Sequence, residues 1–219
     1  MQKGAIFDMD GTLVDTEKFF RDAWLETADK FGVERKLELA AAMSGSQRAE
    51  MPDILHKFYP KIDAEKYISM VYAQAEAQRE KNIDLKSGVV EILEYFAAKK
   101  IPMAVASSST AAMVEKNLTR TNIKKFFDVI VSGDDVEHGK PAPDIFLKAA
   151  EKIGVEPKNC YIFEDSFNGI RAAVAAKSVA IMVIDCVQPT DEIKKISAGI
   201  YKDFHEVLAA IKRGDIRKD

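Results

Sequence analysis

Short apolar runs alternate with longer stretches of helical periodicity along most of this chain. AIFDM (5–9), IPMAVASS (101–108), DVIVS (128–132), CYIFED (160–165) and VAIMVI (179–184) read as strands. Their centres are almost continuously apolar, as strands buried on both faces of a parallel sheet require. Between them, Ile145, Phe146, Ala149, Ala150 and Ile153 share one helical face, and Val89, Val90, Leu93, Phe96 and Ala97 share another. Strand and helix in alternation predict an α/β fold with an open, doubly wound parallel sheet.

The rhythm breaks after the first strand. Residues 16–82 contain no strand pattern, whereas Phe19, Phe20, Ala23, Trp24, Thr27, Ala28 and Phe31 recur at helical spacing. Further helical segments follow at 37–43, 51–58 and 64–81, and the polar stretch 82–87 reads as a return linker. The expected organisation is an α/β core of residues 1–15 and 83–219 with an α-helical domain, 16–82, inserted into it. The aromatic stripe of the first inserted helix is read as core, not as a ligand platform.

Composition narrows the class. A chain of 219 residues, 47% hydrophobic and 31% charged, can bury a core without disulfides or a structural metal. Its net charge is −3 and its basic residues are interleaved with acids, so no basic stripe marks a nucleic-acid partner. Cys160 and Cys186 form no metal-ligand spacing and both border apolar runs, so both are expected to be buried. The first apolar run carries two acids and is no signal peptide, and no stretch approaches the roughly 20 apolar residues of a membrane span. A cytoplasmic monomer is expected.

The candidate chemistry lies at strand ends. Asp8 and Asp10 close the first run, and the period of a strand points both to one side. The second run ends in Ser107-Ser108-Ser109, the fourth in Glu164-Asp165, and the loop after the third carries Lys140. Ligands of open α/β sheets bind beyond the carboxyl ends of the strands. Carboxylates gathered there repel unless a cation intervenes, and Mg²⁺ accepts a few carboxylates while leaving positions open for phosphate. Lys140 and Ser107 suit phosphate oxygens, and Gly11 permits close backbone approach to an anion. Ser107–Ser109 also fit plain capping of the helix that starts near Ala111. His138 reads as a surface residue, and Asp144 either caps its helix or orients Lys140.

These residues resemble the motifs of the haloacid dehalogenase-like superfamily, in its phosphatase and phosphomutase branch. Asp8-Met9-Asp10-Gly11-Thr12-Leu13-Val14 is similar to its first motif, Ser107 to its second, Lys140 to its third, and Glu164-Asp165-Ser166 with Gly169 to its fourth. The order holds over essentially the whole chain, and the helical insert is similar to the family's cap domain on a Rossmann-like core. The resemblance implies a nucleophile at Asp8 that becomes phosphorylated, and a general acid and base at Asp10. It implies Mg²⁺ held by Asp8, the backbone carbonyl of Asp10 and Asp165, with Glu164 either a further ligand or a partner of metal-bound water. Ser107, Ser108 and nearby amides would hold phosphoryl oxygens, and Asp15 would be structural.

An acid at position 10 fits cleavage of a P–O bond to an alkoxide, whereas the family's dehalogenases and phosphonate hydrolases depart there. The expected activity is a phosphatase acting on small phosphorylated metabolites such as sugar or polyol phosphates. A β-phosphoglucomutase-like enzyme is the second reading, because Ser44-Gly45-Ser46-Gln47-Arg48 resembles that subgroup's specificity loop, with Gly45 and Arg48 facing substrate. Phe20, however, stands where the mutase carries a histidine. A non-catalytic binding member of the fold is the third.

Overall fold

The computed structural model describes residues 2–43, 46, 48, 50–81 and 83–216. It divides into two compact units, residues 1–15 with 84–219 and residues 16–83.

The first unit is built on six strands: β1 (Gly4–Phe7), β2 (Met103–Ala106), β3 (Val129–Val131), β4 (Cys160–Glu164), β5 (Val179–Val183) and β6 (Gly199–Tyr201). All pairs are parallel, in the order β3-β2-β1-β4-β5-β6. The order reverses direction between β1 and β4, which is where a doubly wound sheet opens its ligand crevice. The period of two sorts the side chains. Ile6, Ala104, Ala106, Ile162 and Met182 pack on one face with Phe146 and Ala149 of the helix Asp144–Lys152 and Ile170 and Ala173 of the helix Phe167–Ala175. Phe7 and Phe163 take the other face, stacked at 4.7 Å, and meet Phe96 of the helix Val89–Ala98 and Phe204 of the helix Phe204–Arg213.

The strands run shorter than the apolar runs that announce them. The strand β1 stops at Phe7, before either acid. The strand β6 has no counterpart in the sequence reading. It is a three-residue edge strand, half-buried throughout, and carries no apolar run to signal it. The helix Val89–Ala98 buries Val89, Ile92, Leu93 and Phe96, while Val90 and Ala97 face solvent, so its inner face is turned by about one residue from the expected one. Cys160 is buried as expected, but Cys186 lies exposed in the loop after β5. Among the described residues no helix is long and apolar enough to cross a membrane.

The second unit contains the helices Glu17–Lys30, Leu37–Met43, Met51–Phe58 and Ala64–Lys81. Phe19, Ala23 and Trp24 of the first pack with Leu39, Leu55, Tyr67, Ile68 and Val71. Tyr67 is fully buried and its hydroxyl donates to the Trp24 carbonyl at 2.8 Å, which satisfies the one polar atom of that ring. The aromatic stripe is therefore core. Phe20 packs edge-on against Tyr72, with centroids 5.1 Å apart.

The chain leaves and re-enters the sheet unit through paired segments. Val14 bridges Leu85 in antiparallel sense, Asp15 N–H donates to the Asp84 carbonyl at 2.9 Å, and Lys86 N–H donates to the Leu13 carbonyl at 3.0 Å.

Phe7 is the central side chain of the aromatic face, so Phe7→Ala is expected to destabilise the protein by about 3–5 kcal/mol. Urea unfolding monitored by circular dichroism measures this.

Candidate active site

Asp8 directly follows β1, and its N–H donates to the Phe163 carbonyl at 2.9 Å, so it takes one more step on the ladder. The chain then turns. Gly11 N–H donates to the Val14 carbonyl, and the Met9 carbonyl accepts from Leu13 and Val14, all at 2.9 Å. Asp8 and Asp10 are therefore not two positions on one strand face. A turn brings them to the same edge, and the period-two expectation gave the wrong reason for their proximity. Gly11 makes that turn at φ +78°, and a Cβ there would stand 2.3 Å from Asp165 Oδ2. No side chain fits between the turn and that carboxylate.

Lys140, in the loop leading to the helix Asp144–Lys152, reaches into the sheet edge. Its Nζ donates to Asp8 Oδ1 at 2.5 Å, to Glu164 Oε1 at 2.7 Å and to the Ala106 carbonyl at 3.2 Å. All three side chains are at most 8% exposed, so this ion triad is nearly dry. Burial pulls Lys140 down, but Asp8 and Glu164 outweigh it and hold the ammonium above its ordinary value. Burial pushes Asp8 up to about 8, against the opposing pull of Lys140, and the charges of Glu164 and Asp10 push in the same direction as burial.

Glu164 is fully committed. While Oε1 takes Lys140, Oε2 accepts from the N–H and hydroxyl of Ser166, at 2.7 and 2.9 Å. The Ser166 hydroxyl also accepts from Gly169 N–H at 3.0 Å, capping the helix Phe167–Ala175. A Cβ on Gly169 would come within 1.8 Å of Glu164 Oε1. Glutamate, serine and glycine at these spacings thus form one local device that aims a carboxylate at Lys140. This arrangement makes Glu164 a holder of the lysine through one oxygen and of Ser166 through the other.

Asp165 is oriented differently: Thr12, fully buried, donates its hydroxyl to Oδ1 at 3.0 Å. On the β2 side, the Ser107 hydroxyl is buried, reaches Asp10 Oδ2 at 3.4 Å and accepts from Ser109 N–H at 3.1 Å. Ser108 is exposed, whereas Ser107 beside it is buried. Ser109, whose place in the site the sequence reading passed over in favour of helix capping, donates to Asp10 Oδ2 at 2.8 Å. The serine triplet was the available signal, but which of three adjacent hydroxyls turns inward depends on the loop. Lys86 was passed over as well. Its Nζ lies 2.5 Å from Asp185 Oδ1 and 3.7 Å from Asp15 Oδ1. Burial pulls Lys86 down, but the bond to Asp185 and the charges of Asp185, Asp15 and Asp165 hold it above its ordinary value. His138 is exposed and pairs with Asp144 at 3.2 Å.

In the helical unit, Arg48 is exposed, sits 4.5 Å from the centre of the Tyr72 ring and lies 3.9 Å from Glu65. Gly45 lies outside the described residues.

The donor set fits a hard divalent cation. Asp8, Asp10, Glu164 and Asp165 bring four carboxylates to one edge, and Lys140 is the cation bonded among them. Carboxylate oxygens suit Mg²⁺, and among the described residues the side chains as they stand form no group of three acidic, histidine or cysteine ligands.

Comparison with known proteins places this site in a family. Residues 5–183 match the model of the haloacid dehalogenase-like hydrolases. The chain is 34% identical over 182 residues to fructose-1-phosphate phosphatase YqaB of Escherichia coli (strain K12), covering 82% of this chain and 95% of that protein. It is 33% identical over 175 residues to a phosphorylated carbohydrates phosphatase of Thermotoga maritima, covering 80% and 81%. A solved structure of a candidate β-phosphoglucomutase from Thermotoga maritima superposes with a TM-score of 0.78 at 29% identity, covering 97% of this chain and 99% of that one. The chain belongs to the haloacid dehalogenase-like hydrolase family.

Two outcomes are expected at this site. Gly169→Ala displaces Glu164 from Lys140 and lowers kcat/KM by roughly a hundredfold, while circular dichroism shows the fold retained. Asp8→Asn tests the charge. A carboxyl raised in the folded state contributes stability that is full below its ordinary value of 3.8 and is lost as pH rises towards 8. In chelator, Asp8→Asn is therefore expected to gain stability relative to wild type between about pH 5 and pH 8, read as the difference in Tm.

Proposed function

We propose that this chain is a Mg²⁺-dependent phosphatase of small phosphorylated metabolites, sugar or polyol phosphates, working through an aspartyl-phosphate. The observation that carries this reading is Asp8: a buried carboxylate, bonded at 2.5 Å to a buried lysine, beside a second acid whose hydrogen bonds come from serine hydroxyls. The substrate class follows the two relatives named for fructose 1-phosphate and phosphorylated carbohydrates.

In the proposed reaction Asp8 attacks phosphorus through a carboxylate oxygen. The bond from phosphorus to the ester oxygen breaks, and Asp10 gives that oxygen its proton, releasing the alcohol. Asp10, now ionised, accepts a proton from water as the water attacks the acyl phosphate. The Asp8–phosphorus link breaks and inorganic phosphate leaves. Lys140 would aim Asp8 and, together with Mg²⁺, favour its ionised form, and Glu164 would keep Lys140 in place. Ser107 and the amides of the Met9–Gly11 turn would hold the transferring oxygens. Asp8, Asp165 and the Asp10 carbonyl would hold Mg²⁺, whose positive charge offsets repulsion between carboxylate and phosphate. The helical unit would act as the cap that selects the alcohol, with Arg48 and Gly45 as candidate contacts.

A phosphomutase is the second reading, favoured by the likeness to the candidate β-phosphoglucomutase. Against it stands Phe20, an apolar ring packed on Tyr72 where the mutase resemblance calls for a histidine.

A phosphate-release screen over phosphorylated sugars and polyols tests the reading. Release is expected with Mg²⁺ and is abolished by chelator, and Asp8→Asn lowers turnover by at least about a thousandfold. Conversion of β-glucose 1-phosphate to an isomer without free phosphate, in the presence of a bisphosphate activator, would establish the mutase instead. No metal-dependent turnover of any ester by the folded protein would leave a binding member of the family.

A further inference from the structure

The loop after β2 holds a hydroxyl that the reaction above leaves unused. Ser109 Oγ donates to Asp10 Oδ2 at 2.8 Å, an ordinary hydroxyl–carboxylate distance, whereas Ser107 reaches the same oxygen only at 3.4 Å. The backbone of Ser109 is tied on both sides. Its N–H donates to Ser107 Oγ at 3.1 Å, and its carbonyl accepts from Gly133 N–H at 2.9 Å. The hydroxyl is thus presented from a fixed point. Helix capping does not account for it. The helix Ala111–Arg120 has its first N–H served by Asp134, where Ala111 donates to Oδ2 at 2.8 Å. Among the described residues, both serines address the same oxygen of Asp10, Oδ2.

We propose that Ser109 is the positioning residue of Asp10, fixing one carboxylate oxygen so that the other delivers the proton to the departing alkoxide. This rests on the reading of Asp10 as general acid. Proton transfer requires heavy atoms about 2.6–3.2 Å apart, and an aspartate without an anchor is free to leave that range by rotating about χ1 or χ2. The demand for the proton depends on the leaving group. As the phosphorus–oxygen bond breaks, its electron pair stays on the leaving oxygen. A nitrophenolate carries that charge unaided, whereas a simple alkoxide must be protonated as it departs.

The test compares kcat/KM for 4-nitrophenyl phosphate and glycerol 2-phosphate with Mg²⁺ present. This parameter covers the steps through phosphorylation of Asp8, so the later use of Asp10 as a base does not enter. Ser109→Ala is expected to lower the ratio of glycerol 2-phosphate to 4-nitrophenyl phosphate kcat/KM by roughly 10- to 100-fold. Ser109→Thr restores the ratio, because it keeps the hydroxyl. Asp10→Asn shifts the ratio in the same direction and further. Equal losses on both esters, or no loss on either, in Ser109→Ala would overturn the assignment of Ser109 while leaving the phosphatase standing. An unchanged ratio in Asp10→Asn would instead remove the general-acid role itself, and the assignment of Ser109 with it.

Discussion

The buried ammonium of Lys140, held between Asp8 and Glu164, is the constraint around which the rest of the site is arranged. A charge taken out of water costs several kcal/mol unless it is paired and hydrogen-bonded with good geometry. Here the partners come from the ends of β1 and β4, neighbouring strands that are far apart in sequence, and the lysine comes from a loop beyond β3. The sheet order satisfies the constraint, because it sets β1 beside β4 at the point where the chain reverses direction. Small residues complete it. Gly169 lets the Glu164 carboxylate lie against the start of a helix, and Ser166 donates to its second oxygen.

The two carboxylates on Lys140 have unequal surroundings. Glu164 spends both oxygens on lysine and serine donors, so it is an anchored structural charge. Asp8 has Lys140 as its hydrogen-bond donor and retains capacity to react or to bind a cation. Asp10 sits one turn away on a hydroxyl-lined rim. Similar acids at one edge thus acquire different duties from their neighbours, which is how environment separates roles in carboxylate pairs.

Much of this was legible in the chain itself. Five of the six strands could be read because a sheet covered on both faces demands uninterrupted apolar runs, and runs such as YIF and AIMV have no other use. The second unit's helices were readable from the spacing of Phe19, Ala23 and Trp24. What escaped was decided by turns and edges. The strand β6 is too short and too exposed to leave a pattern. Asp8 and Asp10 were found, but the strand stops at Phe7, so a turn through Gly11 does what strand periodicity was expected to do. Glu164 was found as an acid at a strand end, and only the structure reveals its partners, Lys140 on one oxygen and Ser166 on the other. Ser108 and Ser109 are the same residue type side by side, and nothing in their identity tells which one faces inward. The burial of Cys186 failed for a similar reason: an apolar run ends where the loop begins.

The paired segments around Val14 and Leu85 have a consequence for the history of such a chain. Because the outgoing and returning strands of backbone are already bonded to each other, their ends lie about a ladder's width apart. Sixty-odd residues can hang from that junction, or a handful, without changing what the junction asks of the sheet beneath it. Material grafted there is thus free to differ in length and composition without disturbing the sheet unit that carries the acids and the lysine.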